Sequence, residues 1–216
     1  MSFKNPSSFA ILSLGIASLA GSASAEDSAS SGGFYFGGAL GVSTHYNHDG
    51  FPFSVSDYDD PNPGFVGSLI LGTQLSALLR AELELSYFRN ETNCAPTSKC
   101  FFGNPGHEII TSASAILGNL WLDIPTQGEL QPYVGFGVGA SKPNFRDGVV
   151  FGSPEVTSDG PMYQIGMGVR KPLPSGAILD IGIRQQRHDW HTVSGSSMYD
   201  VDYRITSVLF GLSKPF

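Results

Sequence analysis

The sequence predicts an all-β fold, an eight-stranded antiparallel up-and-down transmembrane β-barrel. Three observations predict it. Apolar residues recur with period two in segment after segment, so each segment is a strand with one greasy face and one small or polar face. The connections between segments alternate short and long, as they do between the two ends of a membrane barrel. The final segment, Tyr203 to Phe216, puts Val208, Phe210, Leu212 and Phe216 on one face and then stops on an aromatic residue.

The chain has 216 residues, a formal net charge of −7 and only 14% charged residues, with 27 glycines and 12% aromatics. After the N-terminus no stretch approaches the roughly 18 to 20 consecutive apolar residues of a membrane helix. An acidic chain with scattered Lys and Arg excludes nucleic acid as a partner.

Residues 1–25 have the three-part layout of a secretory signal peptide. Lys4 precedes an apolar run from Pro6 to Gly21, and Ala23-Ser24-Ala25 forms a small-x-small cleavage site before Glu26. Cleavage removes one positive charge from −7, so the mature formal charge is −8. Residues 26–32 form a short polar tail, and residues 33–216 are expected to form the barrel. Export also suits the two cysteines. Cys94 and Cys100 lie six apart in a polar segment, and an oxidising compartment favours a disulfide that staples one loop, worth about 2.4 kcal/mol by chain entropy.

Taken in order, Phe34–Thr44 alternates Phe34, Phe36, Leu40 and Val42 with Tyr35, Gly37, Ala39 and Gly41, and Phe65–Gly72 is the second strand. The clearest alternation follows, with Leu79, Ala81, Leu83, Leu85 and Tyr87 set against Arg80, Glu82, Glu84 and Ser86. Glu108–Asp123 is a fourth strand of weaker pattern, because Ser112 and Ser114 share the parity of Ile110, Ile116, Leu120 and Leu122. Gln131–Lys142, Met162–Arg170, Ala177–Gln186 and Tyr203–Phe216 complete the eight. Short turns are expected near 73–78, 124–130 and 171–176. Long loops are expected near 47–63, 90–107, 143–160 and 188–202, with the cysteines in the second.

A soluble barrel would clothe its non-apolar face in Lys, Glu, Thr and Asn. Here that face is mostly Gly, Ala and Ser, with charges at a few heights, which suits the crowded interior of an eight-stranded barrel. Arg80, Glu82, Glu84, Arg170, Asp180 and Arg184 fall on it. An isolated charge there is costly, so acids and bases from different strands are expected to pair as a structural plug. The alternative is a narrow pore. Tyr87, Phe88, Trp121, Tyr133, Tyr163 and Tyr203 lie towards strand ends, where aromatic girdles at the two membrane interfaces would account for them.

No motif demands a cofactor or metal. Gly135-Phe-Gly137-Val-Gly139 lacks nucleotide-loop spacing, and its glycines share one face. Asp49, Asp57, Asp59 and Asp60 lack calcium-loop spacing and are expected to be a solvated acidic loop. His188, Asp189, His191 and Ser194 are the best catalytic candidates, but they are placed in a polar loop with no base–nucleophile geometry, so no enzyme is expected.

The segments Arg80–Glu91, Gln131–Lys142 and Val208–Phe216 resemble strands of small bacterial outer-membrane barrels, the porin-family, OmpA/OmpX-like and opacity-type surface proteins. The resemblance implies closure of the last strand on the first, insertion by the outer-membrane assembly machinery, and residence in a Gram-negative outer membrane. It implies contact with outer-membrane lipids including lipopolysaccharide. Four external loops would carry a structural or surface-interaction role toward a host or cell-surface ligand. Some outer-membrane barrels hydrolyse lipid A acyl chains with a Ser-His pair, which leaves an acyl hydrolase as the least favoured alternative.

Overall fold

A computed structural model describes residues 33–47, 63–93, 108–147, 159–194 and 197–216. Residues 1–32, where a signal peptide and a polar tail are expected, the four first-loop aspartates, Cys94 and Cys100 lie outside the described residues. Eight strands follow in chain order: β1 (Phe34–Asn47), β2 (Gly64–Gln74), β3 (Leu79–Asn93), β4 (Glu108–Asp123), β5 (Gln131–Asp147), β6 (Gly160–Pro172), β7 (Ile178–Ser194) and β8 (Ser197–Pro215). Each pairs antiparallel with its neighbours, and β8 pairs with β1 to close the barrel.

The register fixes the geometry of closure. The row of hydrogen-bonded partners starting at Phe36 passes through Leu71, Leu83, Gly118, Val138, Tyr163, Arg187 and Arg204 and returns to β1 at Tyr46. Phe36 to Tyr46 is a shear of ten residues. Eight strands with that shear must tilt by roughly 40° and leave an interior just wide enough for side chains. The Phe216 amide donates to the Phe34 carbonyl at 3.0 Å, and the two rings stack at 6.4 Å across the seam.

Period two decides which side chains meet which solvent. Leu40, Ile165, Met167 and Phe210 are all about 60% exposed on the outer wall, whereas Arg80, Glu84, Gln164 and Arg184 are buried inside. Val208 is half-buried on the outer face; Leu212 and Phe216 are exposed there. Polar inside and apolar outside reverses the order of a water-soluble protein. Short turns at 75–78, 124–130 and 173–177 link β2–β3, β4–β5 and β6–β7, all at one end with both described termini. At the last, Gly176 adopts φ 78°, a left-handed conformation that glycine takes without strain.

Several strands run further than expected at the long-connection end. β3 runs to Asn93, β5 to Asp147, and β7 and β8 pair as far as Ser194 with Ser197. The fourth long loop, expected over 188–202, is therefore mostly a two-stranded hairpin. Both faces of such a ribbon can meet water, so it loses the alternation that marks a wall strand.

Candidate functional site in the barrel lumen

The interior is organised around two carboxylate centres. Glu84, on β3, is fully buried. Its Oε1 accepts from Ser68 Oγ at 2.7 Å. Its Oε2 accepts from Arg184 Nη1 at 2.6 Å, Asn119 Nδ2 at 2.7 Å and Gln164 Nε2 at 3.4 Å. Gln186 extends the network by donating to Gln164 Oε1 at 2.7 Å. Five strands thus converge on one charge.

The second centre lies nearer the turn end. Arg80 Nε donates to both carboxylate oxygens of Asp123 at 2.9 Å, and Arg80 Nη1 donates to Glu82 Oε1 at 2.7 Å. Glu82 also accepts from the Tyr35 hydroxyl at 2.6 Å and Trp121 Nε1 at 2.6 Å. Arg170 approaches Asp123 at 3.9 Å, and Tyr133 donates to Asp180 Oδ1 at 2.8 Å. Arginine–aromatic stacking ties the centres together, with Arg80 5.0 Å from the Tyr133 ring centroid and Arg184 5.3 Å from Trp121. Beside these groups, a cavity of about 20 Å³ lined by Tyr35, Arg170 and Asp180 has room for a single water.

All six charged residues singled out from the sequence point inward and are brought together here. Asp123, Tyr35, Asn119 and Gln164 belong to the same networks and were missed. Asp123 ends its strand, and the others carry no charge to draw attention. Parity was the available signal, since each falls on the face opposite the apolar row.

The aromatic girdle needs correction. Tyr87 and Tyr163 do face outward, but Phe88, Trp121, Tyr133 and Tyr203 are buried in the lumen. Trp121 and Tyr133 meet edge to face at 5.2 Å, and Phe88 stacks on Tyr203 at 5.9 Å. Above the charged layers Phe88 and Tyr203 pack with Val66, Ile205 and Leu209 into an apolar layer.

The catalytic candidates also move. His188 lies on β7, buried in the lumen, with Nδ1 2.9 Å from Ser141 Oγ and its ring packed against Phe88 at 5.2 Å. Asp189 faces outward and accepts from Arg187 Nε at 3.0 Å. His191 and Ser194 continue β7, in register with Asp200 and Ser197. Six residues along a strand span about 20 Å, which separates the Ser194 backbone from that of His188.

A closed barrel with hydrocarbon-compatible walls and a packed polar interior defines an integral membrane β-barrel. The chain belongs to the outer membrane protein beta-barrel domain family, whose pattern matches residues 11–213, and it resides in the outer membrane of a Gram-negative bacterium. Neisserial surface protein A superposes with a TM-score of 0.53 at 16% identity, over 85% of this chain and 97% of that one. Ail of Yersinia pestis, solved with the heparin analogue sucrose octasulfate, gives 0.47 at 9% identity over 85% and 99%. A major outer membrane protein from Thermus thermophilus gives 0.47 at 13% over 86% and 99%. No curated protein sequence matches the chain.

Proposed function

We propose that this barrel is a sealed outer-membrane scaffold with a structural or surface-interaction role. The observation that carries the reading is Glu84, whose two oxygens take four donors from β2, β4, β6 and β7. A permeant ion would have to displace those donors from a buried charge, and replacing good pairing with partial pairing is expensive. The plug holds the cylinder's cross-section; recognition then falls to the external connections, since loops on a rigid scaffold carry binding. They are the segments 48–63, 94–107 and 148–159 and the β7–β8 hairpin. The partners that fit are lipopolysaccharide and other lipids around the wall, the assembly machinery during insertion, and a host or cell-surface ligand at the external end. Planar-bilayer recording of the refolded full chain tests the seal. The expected trace is indistinguishable from bare lipid; reproducible ion-selective steps would replace this reading with the narrow pore.

A further inference from the structure

The upper edge of the apolar wall is not level. For a tilt near 40°, a strand climbs about 2.5 Å along the axis per residue, and a row of partners climbs about 3 Å per strand. On that scale Val42, Phe65, Tyr87, Ile116, Ala140 and Tyr163 carry the wall on β1 to β6 up to one level, within about 4 Å of one another. On β7 and β8 it stops about 5 to 8 Å lower, at Ile183 and Val208, which are cross-strand partners. The next outward residues there are Gln185 and Thr206, and Gln185 lies below all six of those side chains.

Gln185 and Thr206 are themselves direct partners, and Thr206 pairs on its other side with Thr44. A polar row thus crosses three strands at the height where the rest of the wall is apolar. Gln185 is exposed on that face and makes no side-chain hydrogen bond among the described residues. Hydrocarbon has neither donors nor acceptors, so lipid leaves this amide unsatisfied. A side-chain amide has both, and its natural complement is a second amide. All copies in one membrane share an orientation, so each carries Gln185 at the same depth. A two-fold axis along the membrane normal then brings the patch onto itself.

We propose that the outer face of β7 and β8 is the contact between two copies of this chain, with the Gln185 amides bonded reciprocally across the axis. Thr206 stands beside them, and Ile183 and Val208 supply the apolar contact beneath. One level higher, Arg187 and Arg204 reach the headgroup layer, where salt screens repulsion between the copies and Asp189 accepts from Arg187 at 3.0 Å. This goes beyond the sealed-scaffold reading. A conducting lumen would end that reading and leave this face unchanged.

The test is photo-crosslinking of the full chain in phosphatidylcholine vesicles, with Ile183→benzoylphenylalanine on the proposed face and Leu85→benzoylphenylalanine on β3, across the barrel. Irradiation is expected to give a covalent dimer from position 183 and none from position 85. Adding Q185L should weaken association about tenfold, the worth of two hydrogen bonds between protein segments in a membrane, read from dimer yield as protein is diluted into lipid. Its gel mobility shift on boiling should stay intact. Equal dimer yields from the two positions overturn the proposal, as do adducts with lipid alone at position 183, or a folded Q185L chain that dimerises as well as its parent. Should Q185L fail to fold, the comparison of the two crosslinker positions decides alone.

Discussion

Glu84 has no exposed surface, so its charge is tolerable only because protein groups replace water around it. Glu84→Ala would strand the Arg184 guanidinium in the lumen, also buried and 2.6 Å from the lost oxygen. Breaking one side of a buried pair costs about 3–5 kcal/mol, and the expected loss is of that size. Removing both charges together, as Glu84→Leu with Arg184→Met, should cost less than the single change, because no uncompensated ion remains. Guanidinium unfolding of the micelle-refolded barrel measures both variants against wild type. A double variant as damaged as Glu84→Ala would mean that Ser68, Asn119 and Gln164, rather than the ion pair, set the energy of this layer.

Single strands carry the constraint of close approach. On β5, Gly139 faces a β4 backbone so near that an added methyl would collide with the Ile116 carbonyl oxygen. Gly118, on the outer face of β4, has open space where its Cβ would stand. Gly139→Ala must push two backbones apart, with an overpacking cost of about 1–3 kcal/mol, while Gly118→Ala should stay within about 0.5 kcal/mol of wild type. The fraction of each variant that shifts on an unboiled gel, together with its unfolding midpoint, checks the contrast. Strands were also the scale at which the sequence was most legible. Alternation located all eight because hydrocarbon and lumen impose opposite chemistry on successive residues. It weakened at Asp189–Asp202, beyond the wall, where that contrast ends. Legibility also failed for the aromatics: nearness to a strand end suggests a girdle for Trp121 and Tyr133, although Trp121 shares the parity of Asn119 and Asp123 on β4, and Tyr133 that of Gly135 and Gly137 on β5. What alternation could not show was which inward groups meet across the barrel. Glu84 and Arg184 are a hundred positions apart in the chain, and only the shear brings them into contact.

For the whole molecule, the governing quantity is the solvent outside the cylinder. Leu40, Ile165, Met167 and Phe210 would be misplaced on a surface facing water, where continuous apolar patches beyond a few hundred Å² drive association. Against hydrocarbon they are the right surface, and a cation put among them has to leave its water behind. By register and tilt, Met167 sits near the middle of the wall, opposite Val134 and Ile183, whereas Leu79 lies at its lower edge where β3 begins. Met167→Arg should therefore destabilise the barrel in phospholipid vesicles by about 2–4 kcal/mol, and Leu79→Arg by about 0–1 kcal/mol, because the penalty falls toward the interface. A surface facing water would show neither the size nor the depth dependence. Equal, small effects at both positions would remove hydrocarbon from the outside of the wall, and with it the reason why the charged side chains point inward.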